Sequence, residues 1–177
     1  MDSRWNQEDA DRLIVQYGAE WGEGLALRTY SARLLGRDHA LVLHGGGNTS
    51  VKASVRTVLG ETVSALFVKA SGADMSAIEP AGHLALDLDE LRRLRVLGDL
   101  DDEAMSRELR LRLVRLSPAT PSIEALVHAF LPGRFIDHTH ADAILTLTNQ
   151  PDGVRLAAAA LGSDVVVLDY VTPGFGL

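Results

Sequence analysis

The sequence predicts an α/β domain in which helices and strands alternate along the chain. Segments with helical periodicity are interleaved with short β-branched runs, and glycine or proline separates many of them. The chain has 177 residues, of which 46% are hydrophobic and 23% are charged. This length and balance are typical of one globular domain that buries a core of its own.

The N-terminal part is predicted to hold two helices followed by two strands. Residues 7–36 carry apolar side chains at helical spacing, and Gly22 and Gly24 are expected to divide them into two helices. Residues 49–58 and 62–68 are rich in β-branched side chains and are predicted strands.

The C-terminal part is predicted to contain four helices and two strands. Acidic residues near the helix starts favour the first two helices, and Ser122 is the expected N-cap of the third. The predicted helices are residues 87–97, 102–116, 123–131 and 152–161, and the predicted strands are residues 135–138 and 164–168.

Charge and composition exclude several classes of partner. The formal net charge is −7 and no basic stripe is present, so nucleic acid is not an expected partner. The absence of cysteine rules out disulfides and thiolate metal ligands, and it fits a reducing cytoplasm. No apolar run is long enough to cross a bilayer. We therefore expect a cytoplasmic protein without a membrane partner.

The most specific chemical signal is a pair of histidines in the predicted strand at residues 135–138 and just after it. Side chains at positions i and i+2 of an extended segment point to one side, so His138 and His140 can converge on one ion. Neutral imidazoles suit zinc and other divalent metals. The alternative is two partly exposed polar residues at a strand end. Asp137 could orient the imidazoles, or it could simply be solvated.

Glu124 and His128 lie four residues apart and would share one helix face. Beside a divalent cation, Glu124 could bind the metal or move a proton during catalysis. By local sequence alone, a glutamate that stabilises its own helix start is the favoured interpretation. His128 is expected to be half-buried and to make one hydrogen bond.

Two glycine-containing loops are candidate anion sites. Residues 44–50 contain three consecutive glycines followed by Asn48, Thr49 and Ser50, which let the backbone approach an anion closely. A tight hairpin is an equally good interpretation of this composition. Residues 69–74 form a second such loop, with Ser71 and Gly72 as candidate contacts. His39 and His83 have no evident partners and are predicted to lie on the surface.

The order of four motifs resembles the class II aldolase/adducin family. They are Gly-Gly-Gly-Asn-Thr-Ser at 45–50, Lys-Ala-Ser-Gly-Ala-Asp at 69–74, Pro-Ser-Ile-Glu-Ala-Leu-Val-His-Ala-Phe-Leu-Pro at 121–132, and Asp-His-Thr-His-Ala-Asp-Ala-Ile at 137–144. Together with Asp-Tyr-Val-Thr-Pro-Gly-Phe at 169–175, they are most similar to the aldolase part of bifunctional rhamnulose-1-phosphate aldolase/short-chain dehydrogenase proteins. The resemblance covers about residues 40–177.

The resemblance implies a three-layer αβα sandwich around a mixed, mostly antiparallel sheet. It implies that His138 and His140 bind zinc or another divalent metal, and that Glu124 acts as acid/base and as a ligand when substrate is absent. The implied contacts to the substrate phosphate are Gly47, Asn48, Ser50, Ser71, Gly72 and Ser122.

The implied reaction is cleavage of a ketose 1-phosphate, expected to be rhamnulose 1-phosphate, to dihydroxyacetone phosphate and an aldehyde through a metal-stabilised enediolate. A homo-oligomer is also implied. The chain lacks a histidine after His140, whereas the family supplies a third metal-binding histidine downstream, so residues 1–177 are expected to be one domain that is incomplete at its C-terminus. The alternatives are an inactive adducin-like interaction module, or an epimerase or dehydratase of sugar phosphates.

Overall fold

Helices cover both faces of a four-stranded antiparallel sheet. The computed structural model describes residues 3–176, and all bounds below refer to that part of the chain. The strands are β1 (Asn48–Arg56), β2 (Thr62–Lys69), β3 (His83–Asp87) and β4 (Phe135–His138). The helices are α1 (Gln7–Trp21), α2 (Glu23–Gly36), α3 (Leu88–Arg93), α4 (Asp102–Leu111), α5 (Ala125–Phe130), α6 (Asp142–Thr148) and α7 (Gly153–Leu161). Short 3₁₀ turns span Met75–Ala77, Pro80–Gly82, Leu94–Val96 and Gly162–Asp164.

The strands lie in the order β3-β2-β1-β4, and each neighbouring pair is antiparallel. β1 and β2 form a hairpin whose pairing runs from Ser50 opposite Val68 to Arg56 opposite Thr62. β4 pairs with the start of β1, and this places His138 directly opposite Asn48. The predicted strands at 49–58, 62–68 and 135–138 are thereby confirmed to within two residues.

Alternate side chains of β2 enter two separate apolar clusters, one on each face of the sheet. Leu66 and Val68 pack with residues of α3, α4 and α5, whereas Ala65 and Phe67 face the side that holds Leu25 of α2. This alternation follows from the two-residue period of a strand. Each fully buried leucine contributes about 1.5–3 kcal/mol of burial free energy. The predicted three-layer αβα arrangement is confirmed.

The two N-terminal helices form where the periodicity predicts them. Asn6 caps α1 by accepting a hydrogen bond from the backbone N–H of Asp9. Gly22 separates the helices with a φ of +83°, a left-handed value that favours glycine. No helix among residues 3–176 is long and apolar enough to cross a membrane.

Three predicted helices differ from the structure at their ends. The helix predicted at 87–97 is α-helical only over Leu88–Arg93 and continues as the 3₁₀ turn Leu94–Val96. The helix predicted at 102–116 ends at Leu111, because Leu113 bridges Leu86 of β3 and extends the edge of the sheet. The helix predicted at 123–131 spans only Ala125–Phe130. Ser122 is not its cap, since its hydroxyl interacts with Glu124 in the preceding turn.

Four further differences separate the structure from the sequence predictions. The strand predicted at 164–168 does not form, because no strand of the described residues pairs with it and Val166 remains 87% exposed. β3 and α6 were not predicted. The prediction that His83 lies on the surface is wrong, since His83 is 2% exposed at the start of β3, while His39 is exposed as predicted.

Candidate functional site

Three side chains with metal-binding atoms meet at one end of the sheet. His138 is the last residue of β4, His140 follows it, and Glu124 lies in the turn before α5. One ligand atom from each residue lies within 4.8 Å of the other two. The backbone N–H of His140 donates to Leu41 at 2.9 Å, which holds this segment against the loop before β1.

Glu124 is oriented by two hydrogen bonds to one of its oxygens. Its Oε2 accepts from the Asn48 amide at 2.9 Å and from the Ser122 hydroxyl at 3.1 Å. Its Oε1 lies 3.4 Å from Nδ1 of His138 and therefore faces the histidines. Desolvation raises the pKa of Glu124, but the Asn48 hydrogen bond, His138 and Ser122 outweigh it, so the net pKa lies below the ordinary value. The group is a carboxylate at neutral pH.

His138 is held in its neutral form. Burial lowers the pKa of His138, the nearby Glu124 carboxylate opposes this shift, and the net pKa remains below the ordinary value. A neutral imidazole keeps a nitrogen lone pair available, as a metal ligand requires. Glu124 therefore offers a carboxylate and His138 a neutral imidazole as metal ligands.

The cluster fits a divalent cation. Bonds of about 2.0–2.1 Å in a tetrahedral site place two ligand atoms about 3.4 Å apart. The Glu124–His138 separation of 3.4 Å already matches that value. The ring centroids of His140 and His138 are 4.9 Å apart, and His140 is exposed, so its side chain is free to turn toward the same ion. Two histidines and one glutamate would leave one position of a tetrahedral site open, as in catalytic zinc sites.

A cleft of about 270 Å³ lies directly beside the cluster. Glu124 and His140 belong to its lining, and the two predicted anion loops supply most of the remainder. The full lining is Gly45, Gly46, Gly47, Lys69, Ser71, Gly72, Ser122, Ile123, Glu124 and His140. The loops touch closely, since a Cβ on Gly45 would lie 2.8 Å from the carbonyl oxygen of Gly72. Glycine is therefore required where the two loops meet.

The structure brings together four of the six residues predicted to contact phosphate. Gly47, Ser71, Gly72 and Ser122 line the cleft. The side chains of the other two face elsewhere, since Asn48 is buried and donates to Glu124, and Ser50 is buried with its hydroxyl 2.7 Å from Nδ1 of His128.

Two neighbours of the cluster behave differently from their predictions. His128 makes the one expected hydrogen bond, but it is 1% exposed rather than half-buried, and burial lowers its pKa to about 4. Asp137 does not orient the imidazoles. It lies on the opposite face of β4, where it pairs with Arg28 at 2.5 Å. The alternation of side chains along a strand separates it from His138.

Sequence reasoning missed two buried cations near the site. Arg28 of α2 is 1% exposed and donates to the backbone carbonyls of Ser50 and Ile136, which ties β1 and β4 to the helix. Lys69 is 2% exposed and lies in the cleft. The position of Lys69 just before the Ser71-Gly72 loop is a local sequence signal that could have indicated a residue of the site. The sequence of α2 contains no comparable signal for Arg28.

Comparison with known proteins gives the family. Residues 28–177 match the family model described as Class II Aldolase and Adducin N-terminal domain. The chain is 35% identical over 173 residues to "Uncharacterized oxidoreductase YuxG" of Bacillus subtilis (strain 168), and this alignment covers 98% of the chain but 24% of that relative. The chain thus spans about a quarter of the relative's length.

A solved structure agrees with the family match. It is the structure of the N-terminal class II aldolase domain of a conserved protein from Thermoplasma acidophilum, with a TM-score of 0.82 and 38% identity. The superposition covers 99% of this chain and 76% of that one. The predicted resemblance is confirmed, and the chain belongs to the class II aldolase/adducin family.

Proposed function

We propose that this chain is a metal-dependent aldolase domain that cleaves a small ketose 1-phosphate. The convergence of Glu124, His138 and His140 beside a glycine-lined cleft is the observation that carries the proposal. Membership of the class II aldolase/adducin family supports a lyase, and the two loops supply uncharged groups that suit a phosphate.

His138, His140 and Glu124 would hold a divalent cation, with zinc the favoured metal for this donor set. When bound, the cation supplies Lewis-acid stabilisation of negative charge that develops on substrate oxygens. Glu124 either completes the ligand set or leaves it when substrate arrives. Its Oε2 is fixed by Asn48 and Ser122, so the carboxylate can exchange roles without losing its position.

The substrate phosphate would lie in the cleft against Gly47, Ser71, Gly72 and Ser122. Backbone N–H groups at glycine approach an anion more closely than those of larger residues. Asn48 and Ser50 stay predictions as phosphate ligands, because their side chains bond to Glu124 and His128. Their support for the site is indirect, through the orientation of those two residues.

Cleavage of the C3–C4 bond of a ketose 1-phosphate gives dihydroxyacetone phosphate and an aldehyde, and it requires a proton to be removed and returned. We assign this role to Glu124, because it lines the cleft beside the phosphate loops and its pKa lies below the ordinary value, so it is ionised at neutral pH. Rhamnulose 1-phosphate is the substrate we propose, on the motif resemblance at residues 45–50, 69–74, 121–132 and 137–144. A cytoplasmic homo-oligomer is proposed on the same resemblance.

Zinc binding tests the metal site first. The wild-type protein is expected to bind about one zinc per chain in elemental analysis and calorimetry. His138→Ala and His140→Ala should each weaken zinc binding at least about ten-fold, because each removes a ligand. The matched control is His39→Ala, an exposed histidine outside the cluster, which should leave zinc binding unchanged. Unchanged zinc content in both cluster variants would show that the metal site is wrong.

Product analysis tests the reaction. The zinc-loaded protein is offered rhamnulose 1-phosphate, fuculose 1-phosphate and ribulose 5-phosphate, and dihydroxyacetone phosphate is assayed. Glu124→Gln should lower kcat by on the order of 100-fold or more at saturating zinc, since the amide cannot accept a proton. Epimerised or dehydrated products without cleavage would support the epimerase or dehydratase alternative. A metal-free oligomer without activity would support the adducin-like module.

A further inference from the structure

Three side chains on one face of β1 form hydrogen bonds with the segment that carries α5. Side chains two residues apart along a strand leave the same face of the sheet. The three bonds are Asn48 to Glu124, Ser50 to His128, and Lys52 to the backbone carbonyl of Leu131. They reach the residue before α5, the helix itself and the residue after it. The helix is therefore tied lengthwise to β1 at three points.

The bond between Ser50 and His128 is the buried one of these three. Ser50 is 0% exposed, His128 is 1% exposed, and the Ser50 hydroxyl lies 2.7 Å from Nδ1 of the ring. Glu124 is only half-buried, and the bond from Lys52 lies at the surface. A hydrogen bond away from water is electrostatically stronger than one at the surface. We therefore expect the middle bond to contribute most to the position of α5 along β1.

β1 also positions the other side of the metal cluster. In the sheet, Asn48 is paired with His138 of β4, and Ser50 is paired with Ile136. Glu124 reaches the same point of β1 through the Asn48 amide. The 3.4 Å separation of Glu124 and His138 therefore depends on β4 and α5 both keeping their places along β1. Backbone pairing holds β4, whereas α5 has six residues and is too short to be stable without such contacts.

Packing alone does not explain a histidine at position 128. Its Nε2 is buried and makes no hydrogen bond with any of residues 3–176. A buried polar atom without a partner costs stability, and a phenylalanine of similar size would avoid that cost. What the histidine adds is the bond to Ser50.

We propose that Ser50 and His128 are positioning residues whose hydrogen bond fixes α5 along β1 and thereby keeps the carboxylate of Glu124 directed at His138. This inference deepens the proposed function, and its consequence for metal binding rests on the proposed metal centre. It requires neither residue to touch the metal or the substrate. It does not depend on which bond of the substrate is broken.

The first test follows the bond between Asn48 and Glu124 in the metal-free protein. The chain has three asparagines, so the NMR resonance of the Asn48 side-chain amide is assigned by its loss in Asn48→Asp. An amide held in a hydrogen bond exchanges slowly with water. Its exchange should be on the order of ten-fold faster in Ser50→Ala and in His128→Phe, because a helix that can shift opens the bond more often. Ser50→Ala is the smaller change and keeps the test valid if His128→Phe fails to fold.

His83→Phe is the matched control. His83 is a second buried histidine, and its Nε2 lies 3.3 Å from the hydroxyl of Thr49, which belongs to the opposite face of β1. This variant also loses a buried contact with β1, but that contact does not reach α5. Exchange of the Asn48 amide should stay within about two-fold of wild type, since local opening is confined to the region that is perturbed.

The second test separates position from stability in the double variant Ser50→Ala/His128→Phe. Replacing both partners of a buried hydrogen bond by apolar groups can leave stability nearly unchanged, so the urea midpoint should stay close to that of wild type. Zinc affinity should nevertheless fall by about ten-fold, because a ligand loses the residues that orient it. In His83→Phe, zinc affinity should stay within about two-fold of wild type even where the urea midpoint falls.

The inference fails if the Asn48 amide exchanges at the same rate in Ser50→Ala and in wild type. It also fails if zinc affinity falls equally in the double variant and in His83→Phe, or if a zinc-binding wild type and the double variant bind zinc equally well. A separate result concerns the proposed function. If wild type binds no zinc while exchange of the Asn48 amide still depends on Ser50, the metal centre is wrong and the positioning of Glu124 stands.

Discussion

Arg28 connects α2 to β4 through a hydrogen bond and an ion pair, and these contacts lead to a quantitative prediction. β4 has only four residues and pairs with β1 along one edge, yet it carries His138 and leads to His140. Arg28 reaches it from α2 and donates to the carbonyl of Ile136 at 3.3 Å and to that of Ser50 at 3.4 Å. We therefore expect Arg28→Met, which keeps the apolar stem, to loosen the strand that holds the metal ligands.

The magnitude follows from the contacts. Two long hydrogen bonds to carbonyls contribute about 1 kcal/mol each. The ion pair with Asp137 adds less than about 1 kcal/mol, because Asp137 is 48% exposed and solvent screens it. Removal of a buried charge returns part of its desolvation cost. We expect Arg28→Met to lower the free energy of unfolding by about 2 kcal/mol and zinc affinity by about ten-fold.

Urea unfolding and hydrogen exchange provide the assay. In Arg28→Met the urea concentration at the unfolding midpoint should fall without a change in the m-value. In hydrogen exchange, the backbone amides of β4 should exchange faster than those of β2 in this variant. Arg155→Met is the control, because its ion pair with Asp152 is exposed and should contribute less than about 0.5 kcal/mol. An unchanged midpoint together with unchanged zinc affinity in Arg28→Met would refute the reasoning.

Three further predictions concern the core and its response to pH. Leu66→Ala should lower the unfolding free energy by about 3 kcal/mol in urea, because the side chain is fully buried between the sheet and its helices; a loss below 1 kcal/mol would contradict that packing. Gly36→Ala should cost about 2 kcal/mol, since a Cβ there would lie 2.3 Å from the backbone nitrogen of Ser76, and an unchanged melting temperature would contradict this close approach. Burial lowers the pKa of His83 to about 3, whereas its value in the unfolded chain is near 6.5. Between pH 6.5 and pH 3 only the unfolded chain binds this proton. The free energy of unfolding should therefore fall with decreasing pH by up to about 1.4 kcal/mol per pH unit. The His83→Gln variant should lack this contribution to the loss of stability. If unfolding measured as a function of pH shows the same loss of stability at acid pH in His83→Gln and in wild type, the prediction is wrong.

Local signals in the sequence were sufficient for the elements whose boundaries depend on nearby residues. The periodicity of residues 7–36 and the glycine at position 22 define α1 and α2, because helix formation and termination are local events. The β1–β2 hairpin was predictable for the same reason. β3 was missed and the strand at 164–168 was wrongly predicted, since a strand forms only where a partner supplies its hydrogen bonds.

The sequence by itself determined the α/β class, the two loops and the candidate ligand pair His138 and His140, because the spacing of side chains on a strand is a local property. It indicated Glu124 as a ligand only through the resemblance of the four motifs to the family. Only the tertiary structure decided that Glu124 faces His138, that Ser50 bonds to His128, and that Asp137 turns toward Arg28. It also decided that Lys69 is buried beneath both loops. These contacts join residues far apart in the chain, and their free energy depends on burial and charge in the folded protein.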